Sequence, residues 1–224
     1  LPVTDEAIEK IKGMIVSGEL RPGDRLPKEP ELARQLGLSR SSLREAVRAL
    51  SLIHVLDVRQ GDATYVTSLE PSLLLGAMSF VVDFHQDDTV LDLLQVRGIL
   101  EPAATALAAQ HMDAEQLQRL RTVLDAVDES PTVEELVQND LEFHRLIADG
   151  SGNTVLSSML DGISGPTARA RVWRGITEED AVRRTHEQHE MIYAAIAARQ
   201  PDLARSWATV HVAGVEQWLR STLA

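Results

Sequence analysis

The chain has 224 residues, of which 44% are hydrophobic, and its 22 Lys and Arg against 34 Asp and Glu give a formal net charge of −12. This balance fits a folded chain of one large domain or, better, two modest ones, and it is unlike that of a disordered chain. The absence of cysteine excludes disulfides, thiolate catalysis, zinc ribbons and iron–sulfur clusters, while the longest apolar stretch, Leu73 to Val82, is half the roughly 20 residues of a membrane helix.

Taken in chain order, Ile8, Ile11 and Ile15 recur at helical spacing from Asp5, and the helix they predict ends near Gly18, before the turn Arg21-Pro22-Gly23-Asp24. A short helix follows from about Glu29 to Leu36, with Pro30 tolerable in its first turn and Gly37 suited to end it in a left-handed conformation. Ser39 can cap a third helix that runs to about Leu52 and buries Leu43, Ala46, Val47 and Leu50. Two helices joined by so tight a turn predict a helix-turn-helix. Val55 to Val58 and Thr64 to Val66, joined across Gln60-Gly61-Asp62-Ala63, predict a β-hairpin.

Residues 67–71 read as a linker between a domain over 1–66 and an all-helical one over 72–224. The helices of the second are expected near Ser72–Phe84, Thr89–His111, Ala114–Val127, Val133–Asp149, Thr154–Val172, Asp180–Arg199 and Leu203–Leu223, with Pro131, Gly150 to Gly152, Gly175 and Pro201 as punctuation. The fold class is therefore mainly α: three helices and a hairpin, then an antiparallel bundle of six to seven helices.

Charge separates the two parts. Residues 1–66 carry ten basic and ten acidic side chains, so the whole excess of acid lies beyond them. Within the first part, Arg34, Arg40, Arg44, Arg48 and Arg59 stand against only Glu45 and Asp57 between Ala33 and Gln60. Arg40, Arg44 and Arg48 form an i, i+4, i+8 stripe opposite the apolar face of the third helix, with Ser41 and Ser42 in its first turn. A helix of that kind fits a major groove, where hydroxyls, terminal amides and arginines bond phosphates and bidentate arginines read guanine. A solvated charged face is the competing reading of an arginine stripe taken alone.

The run Pro22-Gly23-Asp24-Arg25-Leu26-Pro27-Lys28-Glu29, then Glu31-Leu32-Ala33, Gly37-Leu38-Ser39-Arg40 and Leu43-Arg44-Glu45-Ala46, resembles the winged helix-turn-helix of GntR-family bacterial transcription regulators over about sixty residues. The resemblance implies that the helix from Ser39 is the recognition helix and the hairpin at Gly61 the wing. DNA contacts are expected from Arg34, Ser39, Arg40, Ser41, Ser42, Arg44, Arg48 and Gly61. Three positions depart from the family pattern: Pro30 replaces an Arg, His54 replaces a Gly, and Asp62 places an acid at the wing tip, where it repels phosphate.

In the second part, Asp140 and His144 lie four apart on one predicted helix, a spacing by which one helix supplies two ligands; alone, the pair reads first as a polar i,i+4 contact or a solvated His. His189 and His211 each adjoin an apolar stripe. One Asp and three His suit a divalent ion, zinc first, with nickel, manganese or iron as alternatives, and a six-coordinate ion keeps two positions for water or a carboxylate. Asp140-x3-His144, Gly152-Asn153, His189-x2-Ile192-x2-Ala195-Ile196, Asp202-x-Ala204 and His211 resemble the FadR-type C-terminal ligand-binding domain. The resemblance also matches Arg97, Glu101 and the alanines after them to the family's first long helix, making Arg97 the candidate clamp for a carboxylate effector; a plain Arg97–Glu101 pair is the other reading. His186 lies one turn before His189 and competes with it for the same role.

A di-metal carboxylate enzyme needs paired Glu-x-x-His motifs, which are absent, and His186-Glu187-Gln188-His189 is one residue short of a zinc-protease helix. A metal-dependent interaction module that never touches DNA remains a further alternative. The sequence thus leads to a cytoplasmic, non-enzymatic, homodimeric regulator, which the family resemblance implies is a repressor. It binds a palindromic double-stranded operator, carries a divalent ion, responds to a small carboxylate and makes no use of a membrane.

Overall fold

A computed structural model describes residues 3–59, 61–70, 88–126, 132–177 and 180–223. The chain divides into two compact units, residues 1–77 and 78–224. The expected helix over Ser72–Phe84 lies outside the described residues.

In the first unit, α1 (Val3–Val16) buries Ala7, Ile11 and Met14, while Ile8 and Ile15 pack at the edge of the same core. Pro30 lies in the first turn of α2 (Glu29–Leu36), where its missing N–H has no helical partner to lose, and Gly37 ends the helix at φ 66°. Ser39 caps α3 (Arg40–Leu52), its hydroxyl accepting the Ser42 N–H at 3.0 Å. Leu43, Ala46, Val47 and Leu50 face inward as their spacing predicts. His54 follows at φ 57°, a left-handed conformation that glycine adopts without steric cost.

The hairpin pairs β1 (Leu56–Val58) with β2 (Thr64–Val66), Asp57 opposite Tyr65. The segment before α2, predicted as a turn, also lies along β2: Leu26 donates to the Thr64 carbonyl at 2.8 Å and Gly23 to that of Val66 at 2.9 Å. The hairpin is thereby bound to the helical core from its outer edge as well as by its own ladder.

The second unit comprises α4 (Asp88–His111), α5 (Ala114–Asp125), α6 (Val133–Gly150), α7 (Thr154–Thr177), α8 (Ala181–Ala197) and α9 (Pro201–Leu223). Capping boxes open α5, through Asp113 and Gln116, and α6, through Thr132 and Glu135. The central helix is α4, which packs against α6, α7, α8 and most extensively α9. Ala104, Ala108 and Ala109 are buried along it, and such small side chains let neighbouring helices approach closely. α7 continues five residues past its predicted end at Val172, through Gly175. A mid-helix glycine costs only about 1 kcal/mol, and buried Ala170, Arg171 and Arg174 hold this stretch against the bundle.

Candidate metal centre and nucleic-acid interface

The side chains expected on DNA, Arg34 on α2 and those of α3, are only partly free. Arg34, Arg40 and Ser41 are exposed. Arg44 is exposed too, but its Nη2 bonds Glu29 Oε2 on α2 at 3.0 Å, and Arg48 bonds Glu45 at 2.9 Å. The Ser39 hydroxyl lies 2.9 Å from that of Ser41 and 2.7 Å from that of Ser42, so the three hydroxyls form one cluster at the helix start. Gly61 turns the hairpin at φ 79°. Asp62, beside it, accepts the Tyr65 hydroxyl at 2.8 Å, while Arg59 lies 4.4 Å over the Tyr65 ring.

In the bundle, one turn of α6 carries Asp140 and His144, α8 carries His189 and α9 carries His211. One ligand atom of each lies within 4.8 Å of the other three, the one such cluster among the described residues. His189 and His211 are buried, and the side chains of His144 and Asp140 are 8% and 18% exposed. His186 stands apart, 41% exposed and 3.8 Å from Glu190.

Each imidazole turns the same atom to the cluster. Nε2 of His144, His189 and His211 is buried without a hydrogen-bond partner. His211 Nδ1 lies 3.0 Å from Gln188 Oε1, an acceptor that fixes the proton on Nδ1 and leaves the Nε2 lone pair free. His144 Nδ1 lies 3.5 Å from Glu101 Oε1. The His189 ring stacks on Phe143 with centroids 4.0 Å apart. Burial and the neighbouring His144 push His189 down to about 3, and burial also holds His211 well below its usual value, so both are neutral at pH 7. Burial opposes ionisation of Asp140, but Arg171 and His144 outweigh it and hold the carboxyl well below its usual range. Buried lone pairs and a carboxylate without protons to displace fit a divalent cation; as a purely polar core they leave several groups unsatisfied.

Behind this cluster Arg97 is 1% exposed. Its Nε bonds Glu101 Oε1 at 3.0 Å, its Nη2 bonds the same oxygen, and its Nη1 reaches Thr167 Oγ1 at 3.3 Å. The Arg97–Glu101 pair is therefore present, but it is buried beside the histidines rather than spread on the helix surface. Burial pulls Glu101 upward, yet Arg97 and His144 hold it below its ordinary value. A cavity of about 410 Å³ reaches Glu101 and His144 between α6 and α7.

Sequence reasoning missed Arg171, Thr167 and Gln188. Thr167 and Arg171 stand four apart among inward-facing Ile163 and Ala170, and that spacing could have marked Arg171 as a buried charge; Gln188 carries no comparable signal.

Residues 3–66 match the family described as bacterial regulatory proteins, gntR family, and residues 92–214 match the FCD domain. The chain is similar to the HTH-type transcriptional regulator LutR of Bacillus subtilis, with 33% identity over 215 residues that cover 92% of this chain and 96% of the relative. It is also similar to the Glc operon transcriptional activator of Escherichia coli, 29% identical over 229 residues covering 96% and 88% of the two chains. Among solved structures, a Streptococcus agalactiae GntR protein matches with a TM-score of 0.74 at 27% identity, over 96% of this chain and 99% of that one.

Proposed function

As the chain belongs to the gntR family of bacterial regulatory proteins, with an FCD domain following its DNA-binding region, we propose that it is a homodimeric cytoplasmic repressor whose operator affinity is set by a small carboxylate bound at a divalent ion in the bundle. Its relatives are transcription regulators, which sets the metalloenzyme alternative aside. The FCD domain is the ligand-binding part of such a regulator.

The observation that carries the ion is the convergence of three buried, unpartnered Nε2 atoms on the Asp140 carboxylate. Zinc suits this nitrogen-rich set best, and nickel, manganese or iron share its chemistry. When bound, the ion supplies a positive centre to which carboxylate oxygens attach. Arg97 stands behind Glu101 as the second anchor for that carboxylate, and the cavity beside His144 gives an anion its way in.

In the first unit, α3 lies in the major groove, with Arg34, Arg40, Arg44 and Arg48 and the serine cluster on DNA and Gly61 bringing the wing to the backbone. One short helix spans few base pairs, so useful specificity requires two half-sites, and a palindrome mirrors the two-fold symmetry of a dimer. As a repressor, the protein leaves its operator when the carboxylate binds. The Glc operon relative is named an activator.

Metal analysis of the purified protein tests the site. Replacing Asp140, His144, His189 or His211 by Ala lowers bound metal and the unfolding temperature, since an ion that binds only the folded state stabilises it by mass action. His186→Ala keeps both, and Arg97→Ala keeps the ion but loses the response to carboxylates. If wild type and ligand variants all stay metal-free under conditions that load a known site, the cluster is only a polar core.

A further inference from the structure

Asp140 divides its two oxygens between different neighbours. Oδ1 faces the histidines, 3.5 Å from His144 Nε2 and 3.9 Å from His189 Nε2. Oδ2 accepts an N–H from Arg171 Nη1. The Arg171 side chain, 5% exposed, is fixed by two more bonds: Nε donates to the Thr167 carbonyl at 3.4 Å, and Nη2 to that of Ser164 at 3.2 Å. All three nitrogens of the guanidinium are thus engaged, and the head group cannot swing without breaking bonds to its own helix. Burial and the neighbouring Arg97 draw Arg171 down to about 10, which still leaves it cationic at neutral pH.

A carboxylate oxygen that accepts a charge-assisted hydrogen bond from a fixed guanidinium is a weaker donor to a cation than the oxygen left without one, so Oδ1 is the better ligand of the two. We propose that Arg171 is a positioning residue of the ion site, holding Asp140 to ligation through Oδ1 alone and aiming that oxygen at the three histidines. This rests on the reading of the cluster as a metal centre. The consequence is coordination number: a two-oxygen Asp140 would fill a position on the ion that an incoming anion needs. Arg171 also neutralises the carboxylate in the absence of an ion, so the folded chain carries no uncompensated charge there. The alternative role, in which Arg171 abandons Asp140 to grip the effector, makes Arg171 and the ion rivals for Asp140 and predicts the opposite effect on metal affinity.

The test uses the full chain with Co2+ as probe, its affinity measured by chelator competition and its coordination by the visible absorption spectrum, with far-UV circular dichroism to verify folding. Arg171→Gln is expected to weaken Co2+ binding about 10- to 100-fold, the usual loss when a group behind a ligand is removed, and to change the spectrum. Arg171→Lys, which keeps the charge and one donor, is expected to restore part of both and serves as the main variant should the Gln form fold poorly. In an Asp140→Asn background, Arg171→Gln is expected to cause no further loss, because its effect runs through the Asp140 carboxylate. Wild-type affinity and spectrum in Arg171→Gln overturn the proposal, as does tighter binding, which would make Arg171 a competitor. An equal loss in both backgrounds overturns it too, by assigning the effect to the fold. Failure of wild type itself to bind Co2+ is a different result: it removes the metal centre, and this proposal with it.

Discussion

Protonation gives the buried imidazoles a sign that can be measured. His189 is held near 3 by burial and His144, whereas an unfolded histidine titrates near 6.5. Below about pH 6.5 the unfolded chain therefore takes up a proton that the folded chain refuses, and stability falls progressively with pH. His211 adds in the same direction; Asp140 adds at lower pH, its contribution lost as the pH falls from 3.8 through its depressed folded value. The unfolding temperature of metal-free protein should drop between about pH 7.5 and about pH 5.5, and drop less in His189→Gln. Identical pH profiles for the two would show that His189 is not held neutral. In the first unit, Arg44 is exposed with Glu29 3.0 Å from its guanidinium, a partner that orients the side chain. Arg44→Ala should weaken binding to a selected operator by about 1 to 3 kcal/mol and leave unrelated duplexes nearly unaffected. Equal losses on both kinds of duplex would make Arg44 a phosphate contact instead.

Among the elements, α3 depends on its first turn. Ser39→Ala removes the hydroxyl that accepts the Ser42 N–H and gathers Ser41 and Ser42, at a cost of about 1 kcal/mol to the first unit. Chemical denaturation should register that loss while metal content stays unchanged; no loss would mean that water caps the helix equally well. The start of α3, Gly37 as the end of α2 and the two-strand hairpin are all legible in the sequence, because capping, left-handed glycine and alternation are local. The Arg21–Leu26 segment is not: its pairing with β2 is made by backbone atoms of residues about forty positions apart, and no side-chain pattern marks it. α7 runs past its expected end for a related reason, since a glycine signals a break only where packing does not override it. Likewise Asp140 and His144 declare themselves by a spacing within one helix. Arg171 and Gln188 become meaningful only once α7 meets α6 and α8 meets α9, contacts fixed by the fold as a whole.

At the scale of the molecule, charge follows the division of labour. The neutral first unit can approach DNA because its excess of arginine is local to α3, while the acidic surplus belongs to the rest of the chain. An effector in the bundle can alter operator binding only by favouring one of the DNA-competent and incompetent states over the other, and such coupling commonly amounts to 1–3 kcal/mol, about 5- to 150-fold in affinity. The most direct test is an operator titration by fluorescence anisotropy on zinc-loaded protein, repeated across a panel of small carboxylates for wild type and His189→Ala. Regulation through the ion site requires that at least one acid weaken operator binding by wild type at least about fivefold, with no change for His189→Ala. An equal shift in both proteins, or none in zinc-loaded wild type with any acid, would contradict it.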